Sequence, residues 1–202
     1  MPKFSPKKAI SHLSAADPVM GGIIGRVGAF SPRPPHGTPF DALLRAIIYQ
    51  QLSGKAAGTI HGRLENLYGG RPPRPAEILD TPDEDLRSVG LSRQKLSYLK
   101  DLAEKAESRT VNFDGLENLG DEEIIASLTQ VKGIGRWTVQ MFLMFTLQRP
   151  DVLPELDLGI QKAVKLAYDL PEMPKPKELI VIGERWKPYR TVASWYLWRS
   201  LE

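Results

Sequence analysis

The residues best suited to chemistry lie between positions 128 and 157. Residues 128–139, LTQVKGIGRWTV, read as a helix, a tight turn with Gly133 and Gly135, and a second helix. Glycines one residue apart let the backbone take positive φ and come close to a ligand, while the helix that follows presents unpaired N–H groups and a positive dipole end. Such a turn can cradle an anion, and Lys132 and Arg136 beside it add charge toward a phosphate diester. The same letters also describe an ordinary glycine-capped corner between two helices. Asp157 stands directly before LGIQKAV. It is suited to N-cap that helix through the amides of residues 159 and 160. On these residues alone the cap is the favoured reading, since caps are common and catalytic carboxylates rare, although one carboxylate can serve as both.

Composition removes other chemistries. The 202 residues contain no cysteine, which excludes disulfides, a thiolate zinc site, a cysteine nucleophile and a cysteine-ligated iron–sulfur cluster. His12, His36 and His61 are too scattered in the chain to suggest a metal triad. Lysine and arginine number 27 against 24 aspartate and glutamate, a net charge of +3 that suits a polyanionic partner without demanding one. With 42% hydrophobic and 25% charged residues the chain has globular rather than disordered composition. The opening MPKFSPKKAISHL lacks the apolar run of a signal peptide, and the longest apolar stretches, around 43–52 and 141–147, are interrupted by Arg45 and Thr146. A soluble, intracellular protein is expected.

The elements that must position these residues are helical, because apolar spacing of three and four dominates and strand-like alternation is almost absent. The proline-rich stretch 31–40 ends in a helix start, with Thr38 as N-cap, Pro39 at the first helical position and Asp41 three residues after the cap. Leu43, Leu44, Ile47 and Ile48 form its buried stripe. Ser53 caps a second helix with Ala56, Ala57, Ile60, Leu64 and Leu67 inward, stopped by Gly69, Gly70 and the RPPRP run. Thr81, Pro82 and Glu84 are read as starting a short helix that ends near Gly90, and Ser92 as opening another with Leu96, Leu99, Leu102 and Ala106 at helical spacing. Asp121 begins the helix that runs into VKGIG; the helix beyond Gly135 continues through Trp137, Met141, Phe142 and Phe145 to Pro150; PEMPKPKEL breaks the chain; a last helix covers roughly 188–201. No internal repeat is present.

VKGIGRWTV, followed about twenty residues later by the aspartate of LDLGIQKAV, resembles the helix-hairpin-helix DNA glycosylase superfamily, specifically its alkylated-base, 3-methyladenine DNA glycosylase II branch. HLSAADPVM (12–20), LLRAIIYQQLSGKAA (43–57), GLSRQKLSYLKDLA (90–103) and RWKPYRTVASWYLW (185–198) agree in order, so the resemblance covers nearly the whole chain, and a compact core without the extra N-terminal β-rich lobe of some members is expected. It implies an all-α fold, a two-lobed helical bundle with a helix-hairpin-helix motif and a central active-site cleft. Lobe A would be 37–148, with the motif at 121–147, and lobe B 1–36 plus 149–202.

The resemblance implies roles residue by residue. Asp157 is the catalytic carboxylate facing the target sugar; Gly133, Gly135, Lys132 and Arg136 bind phosphate; Gln51 wedges into the space the extruded base leaves, with Gln50 a neighbouring interstrand contact or a structural cap. Trp137 and Trp198 face the extruded base, although burial as plain core is the bland reading of both. Met141 belongs to the same base pocket at a position where some relatives have tyrosine, so a flexible thioether replaces a rigid aromatic wall there and bears on which lesions are accepted. Trp186, Tyr189, Trp195 and Tyr196 read mostly as core. Members that also cleave the DNA backbone carry a lysine at the position of Trp137, so hydrolysis that stops at an abasic site is expected. No cofactor is required; the hairpin of the family binds a monovalent cation, sodium or potassium, through carbonyls that here would belong to Thr129, Val131 and Ile134. The implied partner is double-stranded DNA containing damaged bases, met by a monomer away from any membrane. Two alternatives remain: a non-catalytic DNA-binding module, against which Asp157 argues, and a same-fold glycosylase for uncharged damaged bases.

Overall fold

The computed structural model describes residues 4–32, 34, 35 and 37–202. His36, which falls in the proline-rich stretch 31–40, lies outside the described residues. The expected all-helical fold is observed, with no β-strand among the described residues. The chain divides into two compact units, one of Met1–Pro35 with Leu143–Glu202 and one of His36–Phe142. The helices are α1 (Pro6–Ala16), α2 (Pro18–Val27), α3 (Pro39–Tyr49), α4 (Gly54–Leu67), α5 (Pro75–Asp80), α6 (Asp83–Ser88), α7 (Arg93–Glu107), α8 (Asp121–Leu128), α9 (Arg136–Phe145), α10 (Leu158–Ala167), α11 (Pro176–Gly183) and α12 (Arg190–Arg199). Helix α9 carries the chain from the second unit into the first. No helix among the described residues is long and apolar enough to cross a membrane.

In the second unit α3 packs on α4 and α7, and α5 lies along α7. Thr38 and Asp41 close the expected capping box on α3: the Asp41 amide donates to Thr38 Oγ1 at 3.2 Å and the Thr38 amide to Asp41 Oδ2 at 2.7 Å. The inward face of α4 is narrower than expected, with Ala57 and Leu64 buried but Ala56 and Leu67 exposed. Thr81 is not an N-cap. Its hydroxyl donates to the Glu77 carbonyl at 2.7 Å and meets Tyr68 Oη at 2.8 Å, so it closes α5, while α6 starts behind Pro82 with no side-chain cap. Helices α5 and α11 arise where the sequence suggests only breakers. Pro75 and Pro176 occupy first helical positions, where a missing N–H costs nothing, and Glu77 and Glu178 reach back to the amides of Arg74 and Lys175, each at 2.8 Å. Helix α9 ends at Phe145 rather than near Pro150, because Gln148 turns left-handed (φ 56°) and the Arg149 amide returns to the Leu143 carbonyl at 2.9 Å. Helix α12 starts only at Arg190, whose amide and guanidinium are taken by the Asp151 carboxylate at 3.2 and 2.8 Å.

The first unit is built around Trp186 and Tyr196, both fully buried among Leu13, Met20, Ile160, Val164 and Leu179. Tyr189 and Trp195 pack partly buried against this core. One buried charge organises it. Asp17, in the one-residue gap between α1 and α2, accepts the amides of Val19 and Met20 at 3.0 and 3.2 Å, the Trp186 indole N–H at 2.9 Å and the Tyr168 hydroxyl. Burial alone would raise this carboxyl, but the bonds from Tyr168, Trp186, Met20 and Val19 outweigh it and hold the group below the ordinary carboxylate range.

Asp17→Ala leaves two amides, the buried Trp186 indole N–H and the part-buried Tyr168 hydroxyl without their acceptor and is expected to cost about 3–5 kcal/mol, measured by urea unfolding. Because the folded carboxyl is depressed, its contribution is complete above the ordinary unfolded value. It is lost as pH falls through that value toward the lower folded one, so the urea midpoint of Asp17→Asn should fall less steeply with acid than that of the wild type.

Candidate functional site

In the second unit the turn between α8 and α9 is held from behind by α7. Asp101, buried on α7, accepts the Lys132 amide at 2.8 Å, with Lys105 Nζ at 2.7 Å and Lys132 Nζ at 3.4 Å from its other oxygen. Burial raises this carboxyl, yet the bonds from Lys105 and Lys132 prevail and lower it on balance. Gly133 is left-handed (φ 79°), and an added Cβ would stand 2.2 Å from Tyr98 Cδ2. Gly133 is therefore required twice, for its φ and for the Tyr98 ring. Gly135 is not left-handed. Its carbonyl accepts the Val139 amide at 3.1 Å, which makes it the residue that starts α9, and a Cβ there would meet nothing within 4 Å. Bare backbone is thus presented to solvent beside the positive end of α9.

The two flanking cations both have carboxylate partners. Arg136 makes a bidentate pair with Glu122 at 2.8 and 2.6 Å and lowers that carboxyl, and Lys132 shares Asp101. The Arg136–Glu122 pair is solvent-exposed, the kind of interaction worth only about 0–1 kcal/mol. A phosphate could therefore displace it at little cost. Thr129, Val131 and Ile134 lie in this turn beyond the end of α8, and the Val131 carbonyl also accepts the Ile134 amide at 3.1 Å. Their carbonyls would offer a cation neutral oxygen only, without the carboxylates that calcium and magnesium sites ordinarily include. Among the described residues no group of three His, Asp or Glu side chains could hold a metal.

The end of α3 meets the same turn. Gln50 Nε2 donates to the Gly133 carbonyl at 2.8 Å, so Gln50 is a structural link within the second unit. Lys95 of α7 donates to the carbonyls of Ile48 at 2.5 Å and Gln50 at 2.8 Å. Gln51 follows, exposed and left-handed (φ 56°). Trp137, on the first turn of α9, is 43% exposed and is not plain core, and Met141 one turn on is half-buried.

In the first unit Asp157 caps α10. Its Oδ1 accepts the Ile160 amide at 2.9 Å and the Trp198 indole N–H at 2.9 Å, so two rigid donors from different helices orient the carboxylate. The sequence reading has the cap but not the Trp198 bond. The Trp198 ring lies 6.0 Å from that of Phe145, tilted. Gly159 makes the meeting possible, since a Cβ there would stand 3.0 Å from Asp157 Oδ1 and 3.2 Å from Trp198 Cδ1. Sequence reasoning misses Lys95, Tyr98, Asp101 and Gly159. The available signals are three polar-tipped residues spaced by three along α7, one of them a carboxylate beside an apolar stripe, and a helix-weakening glycine just inside the start of α10.

Over residues 44–188 the sequence matches the family described as HhH-GPD superfamily base excision DNA repair protein. DNA-3-methyladenine glycosylase 1 of Schizosaccharomyces pombe is 39% identical over 197 residues, spanning 96% of this chain and 86% of the relative. The solved structure of S. pombe 3-methyladenine DNA glycosylase in complex with abasic DNA is similar with a TM-score of 0.84 at 39% identity, covering 95% of both chains. That of DNA-3-methyladenine glycosidase from Bacillus halodurans is similar with a TM-score of 0.87 at 39% identity, covering 98% of this chain and 90% of the other.

Gly133→Ala should destabilise by about 3 kcal/mol through steric overlap and positive φ together, and by only about 1–2 kcal/mol in a Tyr98→Ala background where the overlap is gone. Urea unfolding of the four proteins measures the difference. Helix propensity alone would make Gly159→Ala stabilising by about 1 kcal/mol. The contact with Trp198 predicts otherwise: no gain in stability and a displaced Trp198 indole N–H resonance, read by NMR.

Proposed function

The chain belongs to the HhH-GPD superfamily of base excision DNA repair proteins, and from that premise we propose that it is a monofunctional DNA glycosylase. It excises alkylated purines such as 3-methyladenine and 7-methylguanine from double-stranded DNA inside the cell, acting as a monomer and leaving an abasic site. The observation that carries this reading is the Asp157 carboxylate, positioned by an amide and an indole N–H on one oxygen.

The target base must leave the stack before its glycosidic bond can be reached. The bare backbone at Gly135, the amides that open α9 and the side chains of Arg136 and Lys132 are suited to grip the DNA phosphate, with Glu122 giving up Arg136. Thr129, Val131 and Ile134 would supply carbonyl oxygens to sodium or potassium, which would add positive charge to the phosphate-binding turn. Gln51 fills the space the base vacates. Trp137 and Trp198 each have the electron-rich face that attracts an N-alkylated, cationic purine, worth about 1–2 kcal/mol when desolvated.

An alkylated purine carries positive charge, so the electron pair of the breaking C1′–N bond neutralises it and the base departs without a general acid. Positive charge then builds on the sugar at C1′. Asp157 stabilises that charge and accepts a proton from the water that adds to C1′. Trp137 has no amine to form a Schiff base with the sugar, so the backbone remains intact.

Wild-type protein incubated with methylated duplex DNA should release free 3-methyladenine and 7-methylguanine, resolved by chromatography, without strand nicking. Asp157→Asn should release them on the order of a hundredfold more slowly while binding DNA equally at fixed salt. Equal release by both proteins would remove Asp157 from the reaction. Binding without release by either would identify a binding module or a different lesion.

A further inference from the structure

We infer that Lys95 is a positioning residue for the DNA-probing side chain: its ammonium, bonded to the carbonyls of Ile48 and Gln50, holds the peptide that sets Gln51 in its left-handed conformation. The inference rests on the proposed role of Gln51 in filling the gap left by an extruded base.

A helix ends with carbonyls that have no partner within the helix. Helix α3 ends at Tyr49, and its exit is taken by a cation from another element, with Lys95 Nζ 2.5 Å from the Ile48 oxygen and 2.8 Å from the Gln50 oxygen. The Gln50 carbonyl and the Gln51 amide belong to one planar peptide, so holding that oxygen fixes the plane from which Gln51 departs. Gln51 has φ 56°, a conformation that costs a residue with a side chain and reverts unless its surroundings impose it. The other side of Gln50 is also held, through Nε2 on the Gly133 carbonyl at 2.8 Å. The exposed Gln51 side chain is thus aimed by two anchors, one on α7 and one on the hairpin that would grip the phosphate. Lys95 is part-buried, and among the described residues no carboxylate is bonded to its ammonium; burial lowers its basicity. Its two bonds to neutral carbonyls offset part of the cost of burying the ammonium and in turn fix the direction of both oxygens. Without it, the peptide between residues 50 and 51 can flip, and Gln51 relaxes to an extended or right-handed conformation that points its amide elsewhere.

The variants Lys95→Met, Lys95→Arg and Gln51→Ala, and the double variant Lys95→Met with Gln51→Ala, separate this role from general stabilisation. NMR of the free protein reads the Gln51 backbone through the strong intraresidue amide-to-Hα contact that positive φ produces. Stopped-flow fluorescence reads base extrusion from duplexes with 2-aminopurine beside 3-deaza-3-methyladenine. Lys95→Met should lose the left-handed signature and most of the 2-aminopurine rise. Its kcat for base release should fall on the order of tenfold, with KM within about twofold. Lys95→Arg, which keeps the donors, should restore both signals. The double variant should be no slower than Gln51→Ala alone, because both act through one side chain. If Gln51 keeps its left-handed signature in Lys95→Met, or if the two losses multiply, the inference is overturned. If wild type releases no base while Lys95→Met still loses the Gln51 signature, the glycosylase reading fails and the positioning role of Lys95 stands.

Discussion

Each helix end leaves backbone groups without partners inside the helix, and the chain has to answer for them wherever the end is not open to water. Here the answers coincide with the groups proposed to act on DNA. The carbonyls leaving α3 take the Lys95 ammonium, and the residue released beyond them is Gln51. The turn after α8 hands the Lys132 amide to Asp101 and leaves Gly135 bare at the start of α9. The first amides of α10 take Asp157, so the carboxylate proposed for the chemistry is also the one that starts its own helix. A cap is rigid because its partners are backbone, which makes it a good place to hold a reactive group within the narrow tolerance that catalysis needs.

The charges fall into two kinds by burial. Asp17 and Asp101 are buried, each with several donors, and each is held below the ordinary carboxylate range despite burial. They tie segments far apart in the chain, Asp17 to Tyr168 and Trp186, Asp101 to Lys132. Arg136 and Glu122 are exposed and inexpensive to separate. In these pairs the fixed charge lies beneath the surface and the easily separated charge lies at it, as the proposed exchange of Glu122 for a phosphate would require.

Helix α7 shows how one element can serve several parts of a site without contributing a reacting group. Lys95, Tyr98 and Asp101 are spaced by three and share a side of the helix. One holds the exit of α3, the next packs against Gly133, and the third anchors the amide of Lys132. In the first unit Gly159 does the corresponding work by omission, since its missing side chain lets the Trp198 indole reach Asp157.

Much was legible in the letters alone. Thr38, Ser53, Ser92 and Asp157 announce their helices because a cap needs only a short polar side chain and the next turn of backbone. The glycine turn between α8 and α9 was legible as a turn for the same reason, whereas its link to the aspartate about twenty residues on came from the family resemblance and not from local geometry. Proline misled at α5 and α11, where the same residue that breaks a helix also begins one. What only the tertiary structure decided is which distant residue meets each turn: Tyr98 over Gly133, Asp101 under Lys132, Lys95 at the end of α3, Trp198 on Asp157. Helical periodicity tells which face of a helix turns inward, but not which residue of another helix it finds there. That partner depends on the packing of whole helices, on distances of a few ångströms that no spacing within one segment encodes.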